Sequence, residues 1–205
     1  MKLYYSTGTC AMSCVTEVFE LGLEKSCELV EVSWKNDRNV AELNRLNPLG
    51  AVPVLVADDG TVITQNAAIL EHLSDKFSKG EHLAAAGTVE RAQTLSWVSF
   101  VGADLHKAFT PLFASEEMVS TPEAQKQVEE FGTQNIKGLL THLDRSLEGK
   151  KFICGEKYTI ADSYLFTILT WCDWFEISVS NYRHVEQYMD RMKARPGVSK
   201  ALKLQ

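Results

Sequence analysis

The chain has 205 residues, 45% hydrophobic and 23% charged, with a formal net charge of -6. That length suits one large domain or two small ones with real cores, and the balance argues against disorder. The acidic surplus argues against nucleic-acid backbone as a general partner, leaving open only a local basic patch. No apolar run approaches the roughly 20 residues that span a bilayer, and the start "MKLYYSTGTC" lacks the apolar block of a secretory signal.

Cysteines stand at 10, 14, 27, 154 and 172. An odd number at irregular spacing fits reduced thiols in a cytoplasm better than a disulfide framework. The histidines, at 72, 82, 106, 142 and 184, are scattered and do not pair with cysteine at zinc-site spacing, so no metal is expected.

In chain order, "KLYYS" reads as a short strand. From Ala11 the apolar residues Met12, Val15, Val18, Phe19 and Leu21 recur at helical spacing, and Gly22 is placed to end that helix. "CELVEVSW" is a second strand, parallel to the first through the intervening helix. "NVAELNRLNP" gives a short helix stopped before Pro48. "VPVLVADDGTVIT" is two strands around the turn signal Asp59-Gly60. "NAAILEHLSDKF" closes this half as a helix with Ala67, Ile69, Leu70 and Leu73 on one face. The order β-α-β-α-β-β-α around a four-stranded mixed sheet is that of the thioredoxin fold.

The texture then changes. "VERAQTLSWVSFVGADLHKAF" predicts one long helix that stops around Thr110-Pro111. "TPEAQKQVEEFGTQNIKGLLTHLDRSL" predicts another, with Thr121 as cap and Pro122 at the first helical position; Gly132 and Gly138 weaken it slightly. "TIADSYLFTILTWCDWF" opens on a capping-box pattern, Thr159 with Asp162. Shorter helices are expected around 184–194 and 198–204. The fold class is therefore α/β plus all-α: a thioredoxin-like domain over 1–80, a linker over 81–87 and an all-helical domain over 88–205.

Pro53 in "AVPVL" begins a strand, where its missing N–H must be accommodated. In a thioredoxin-like fold the Val52-Pro53 bond is expected to be cis, turning the Val52 backbone toward an extended peptide. With "NPLGAVPVL", "TQNAAIL" and a helical second half containing "TIAD", the chain resembles the glutathione transferases along essentially its whole length. "TGTC" at Cys10, "LHKAFTPLF" and "FICGEKYTIADSYLF" are similar specifically to the bacterial beta class. That class replaces the Tyr or Ser of other classes with a cysteine at the start of the first helix.

The resemblance implies glutathione as co-substrate, a small hydrophobic electrophile and a homodimer, with Cys10 and His106 as catalytic residues. A free cysteine is only a few per cent ionised at pH 7, and a helix N-terminus favours the anion, so Cys10 is expected to carry a depressed pKa. Cys14, in a C-x3-C and not a C-x-x-C spacing, shares a helix face with Val18 and Leu21 and reads as core. His106 near the interdomain cleft can donate to a sulfur anion or exchange a proton. Gln65 and Asn66 precede a helix whose N-terminus suits the γ-glutamyl carboxylate. The family commonly has an acidic and then a small residue at these two positions, so the Asn66 backbone is a safer ligand than its side chain. Val52 would pair with the peptide backbone. Lys35 and Lys107 are cations for the glycine carboxylate, and Asp104 could bind the α-amine across a dimer interface.

Trp97, Trp171 and Trp174 read as core or cleft lining, with Trp171 able to face the electrophile. Tyr5 lies within the first strand, and Thr7, Thr9 and Ser13 rank below Cys10 as nucleophiles. Two rival readings stand beside the enzyme: a non-catalytic transferase-fold scaffold, since fold does not imply activity, and a maleyl isomerase, whose Ser-Ser-Cys pattern "TGTC" lacks.

Overall fold

A computed structural model describes residues 1–33 and 37–204. Strand β1 (Lys2–Tyr5) leads into helix α1 (Met12–Glu20), then β2 (Glu28–Glu31), α2 (Asp37–Leu46), β3 (Val54–Val56), β4 (Val62–Thr64) and α3 (Asn66–Phe77). The sheet order is β2-β1-β3-β4, with β1 and β2 parallel and the other pairs antiparallel. This is the thioredoxin-like arrangement expected. Gly22, at φ +65°, lets the chain turn back after α1, and Asp59 Oδ1 accepts from Thr61 N inside the β3–β4 turn.

The sheet has two covered faces. Leu3, Tyr5 and Leu55 face α1 and α3 and join a core that runs on into the second half. Tyr4, Val32, Leu43 and Val54 form a smaller cluster under α2 on the other face.

The second half is helical: α4 (Val89–Phe100), a π-helical turn (Val101–Leu105), α5 (His106–Ala108), α6 (Thr110–Phe113), α7 (Ser115–Met118), α8 (Pro122–Leu147), α9 (Ile160–Leu169), α10 (Trp171–Trp174), α11 (Arg183–Lys193) and α12 (Pro196–Leu202). One expectation is corrected here. The helix from Val89 does not run unbroken: a π turn interrupts it before it stops at Ala108, close to where expected, and Pro111 sits inside the first turn of α6, where its absent N–H costs nothing. Gly132, read from sequence only as a weak point in α8, has a packing reason. A Cβ there would lie 3.0 Å from Pro111 Cβ and collide with Leu112, so the glycine admits α6 against α8.

Several polar contacts join the halves. The Arg91 guanidinium of α4 grips both carboxylate oxygens of Asp75 at 2.7 and 2.8 Å and Glu71 at 2.5 Å, on α3. Glu17 of α1, fully buried, meets His82 Nδ1 at 2.7 Å and accepts from Tyr158 Oη at 2.9 Å. Ser163 Oγ of α9 donates to Ser13 O at 2.6 Å. The capping box is formed as expected, with Asp162 Oδ2 accepting from Thr159 N at 2.8 Å while Oδ1 takes Ile153 N at 2.8 Å. Among the described residues no helix is long and apolar enough to cross a membrane.

Candidate functional site

The loop after β1 turns at Gly8, φ +73°, and delivers Cys10 two residues before α1. Val52-Pro53 is cis, and the Val52 carbonyl faces the thiol, with Cys10 Sγ 3.9 Å from Val52 O. Gln65 caps α3 with φ +73°, a left-handed conformation that non-glycine residues adopt at a cost and that clusters at functional sites. These three connections converge on one cavity of about 480 Å³ between the halves. Its N-terminal wall holds Cys10, Val52, Gln65 and Asn66; its C-terminal wall holds His106, Lys107 and Tyr164.

Six of the eight expected site residues therefore share one cavity. Asp104 does not: it is exposed and lines an adjoining cavity with Phe131, Asn135 and also Lys107. Lys35 lies outside the described residues.

The acidity expected of Cys10 is overturned. Burial pushes its thiol up to about 11; its own backbone N–H and the Lys107 cation pull the other way and do not win. The helix end is present, but Cys10 lies two residues before it, and the loss of water around the thiol outweighs the partial charge. At pH 7 such a thiol is about one part in ten thousand ionised. Burial, helped by Lys107, likewise lowers His106 to about 4, so its imidazole is neutral near pH 7.

Cys14 is fully buried in the core, as read from its helix face, and also makes a polar contact that spacing did not reveal. Its Sγ lies 2.7 Å from Asn66 Oδ1, and Ser13 Oγ lies 2.9 Å from the same oxygen. The Asn66 side chain is thus turned inward at 6% exposure, and its Nδ2 is buried without a hydrogen-bond partner. Tyr5 is buried in the sheet, outside the cavity lining.

Two features escaped the sequence reading. Tyr164 Oη lies 2.9 Å from His106 Nδ1, and the π turn immediately precedes His106. An extra residue in one turn re-aims the side chains that follow, which is why such turns recur at functional sites. Beside the cavity is an aromatic wall. Trp171 packs edgewise on His106 (4.9 Å, 73°) and on Phe113 (5.0 Å, 85°). Phe113 and Trp174 are half-exposed, and a Cβ at Gly8 would collide with Trp174.

Family models give this architecture its relations. The glutathione S-transferase N-terminal domain matches residues 10–76 and the C-terminal domain residues 102–196. The chain belongs to the glutathione S-transferase family. It is 33% identical over 202 residues to the glutathione S-transferase GstA of Escherichia coli O157:H7, covering 98% of this chain and 97% of that one. A bacterial beta class glutathione S-transferase of Sphingomonas chungbukensis superposes with a TM-score of 0.87 at 33% identity, over 100% of this chain and 98% of that one. A sphingomonad glutathione S-transferase complexed with glutathione gives 0.86 at 30% identity, over 100% and 98%. These relations do not favour the non-catalytic scaffold.

Proposed function

We propose that the chain conjugates glutathione to apolar electrophiles, as a cytoplasmic homodimer, with thiol–disulfide exchange through Cys10 as a minor activity. The observation that carries this is the two-walled cavity, which brings Cys10, Val52 and the start of α3 opposite His106 and Lys107. In this reading the tripeptide lies extended along Val52. The α3 N-terminus, with Gln65 and the Asn66 backbone, holds the γ-glutamyl carboxylate. Lys107 and Lys35 serve the glycine carboxylate. Asp104, exposed outside the cavity, binds the α-amine in the partner's site. Glutathione is a co-substrate, and no metal takes part in the scheme.

A neutral Cys10 removes a difficulty. Two thiolates side by side would repel, whereas a protonated Cys10 can donate its S–H to the glutathione sulfur and favour that anion. His106, neutral at pH 7, can offer its N–H as a second donor. The glutathione thiolate then attacks the electrophilic carbon, forming the C–S bond as the leaving group departs with the bonding pair. The half-exposed Phe113 and Trp174 favour a flat apolar electrophile at the cavity's edge.

In exchange, a Cys10 thiolate attacks the glutathione sulfur of a mixed disulfide, releasing the other thiolate. A second glutathione thiolate then frees Cys10 and leaves as glutathione disulfide. The small ionised fraction makes this the slower activity. Two measurements test the reading: retention on immobilised glutathione, and glutathione-dependent turnover of chlorodinitrobenzene. Retention with turnover is expected; neither would return the chain to the scaffold reading. Cys10→Ala should abolish exchange with a glutathione mixed disulfide and only slow conjugation, since His106 remains as a donor to the sulfur; unchanged exchange would refute the division of labour.

A further inference from the structure

Tyr164 stands on α9, 4% exposed, with its hydroxyl 2.9 Å from His106 Nδ1. Both groups are neutral near pH 7, because burial pushes the phenol up and the imidazole down. Each then has one proton, and either could donate to the other. The surroundings of the phenol oxygen decide the direction.

Among the described residues the one hydrogen bond of the hydroxyl is to His106 Nδ1. If the imidazole donated from that nitrogen, the buried phenol proton would have no acceptor. The phenol therefore donates to His106 Nδ1. The imidazole proton is then on Nε2. Trp171 packs edgewise on the ring at 4.9 Å and limits its rotation.

We infer that Tyr164 is a positioning residue: its O–H donates to His106 Nδ1, fixes the ring and holds the Nε2–H form, so that His106 meets the glutathione sulfur as a neutral hydrogen-bond donor. The inference rests on the conjugation reading above, since the bound sulfur comes from there.

The first test uses the native protein and needs no turnover. In ¹⁵N-imidazole NMR, His106 is assigned as the signal missing from His106→Asn. Its Nδ1 is expected unprotonated with the shift of an acceptor nitrogen, and Nε2 protonated. A protonated Nδ1 would overturn the inference. The second test is a double-mutant cycle. Tyr164→Phe keeps the ring and removes one oxygen. It should lower kcat about tenfold, less than the hundredfold or more of a lost general acid or base, with the KM for glutathione unchanged. In the His106→Asn background the same change should cost less than about twofold. Equal losses in both backgrounds, or a loss confined to KM, would mean Tyr164 is only packing. A native protein without conjugation would sink the functional reading instead, and the imidazole spectrum would still decide the proton's place.

Discussion

Trp171 Nε1 donates to Gly8 O at 2.9 Å, tying the helical half to the loop that carries Cys10 two residues further on. The indole also packs on His106, Phe109 and Phe113, so one side chain sets the distance between the thiol and the imidazole. Trp171→Phe keeps an aromatic ring and loses the bond. The expected cost is about 1 kcal/mol of stability, measured by urea denaturation. Alkylation of Cys10 under native conditions should speed up as the loop loosens. No change in either quantity would show that the bond holds nothing in place.

The Cys10 thiol, pushed up to about 11 by burial, makes a kinetic prediction. Iodoacetamide should modify it slowly at pH 7. The rate should climb about tenfold per pH unit up to about pH 10, because the thiolate is the nucleophile. Cys10→Ser identifies its share of the signal among the five cysteines. A rate already level near pH 7 would mean the anion is favoured after all, and exchange would no longer be the slower activity.

Much of this was legible in the residues, for reasons of period and punctuation. Apolar residues repeating along α1 and α3, the Asp59-Gly60 turn and the Thr159–Asp162 cap each have a local cause, and each formed where expected. Cys10 and His106 could be named because the motifs around them are contiguous. Tyr164 could not: every residue of α9 from Ile160 to Leu169 is buried, so periodicity marks no functional face. The π turn was equally silent, although it packs against α9, where a Cβ at Gly102 would lie 3.4 Å from the Tyr164 ring. The direction of the Cys10 shift failed for a related reason. Position relative to a helix can be read from sequence, but burial is set by residues far along the chain, such as Val52, Lys107 and Tyr164.

The Glu17 contacts predict an asymmetry. Its carboxyl is fully buried, bonded to His82 and Tyr158, and the His82 ring packs edgewise on Tyr158 at 4.9 Å. His82→Ala removes one partner and leaves the carboxylate under-satisfied, at an expected cost of about 3 kcal/mol. Replacing the whole set by Glu17→Met, His82→Leu and Tyr158→Phe removes the buried polar groups together, and should cost less than the single change. Chemical denaturation of the two variants compares them directly. A triple variant less stable than His82→Ala would show that the polar set itself strengthens the join between the halves.

Acid should weaken the fold through His106, and the sign follows from where its protons bind. Folded, the imidazole is lowered to about 4; unfolded, it titrates near its ordinary 6.5. Between those values the unfolded chain holds more protons, so this group's contribution to stability is present above pH 6.5 and is lost as pH falls toward 4. Asp162 acts oppositely. Burial raises its carboxyl from 3.8 to about 6, so over that interval the folded chain holds the extra proton and stability falls as pH rises. The two partly cancel in the native protein's profile, which is why the profile alone is a poor test. The difference between His106→Asn and the native protein isolates the histidine. Relative to the native protein, the variant should gain stability as pH drops from about 6.5 to 4, by on the order of 2 kcal/mol. A difference that stays flat across that window would mean His106 is as easily protonated in the fold as in water, and its role as a neutral donor at the sulfur would fall with it.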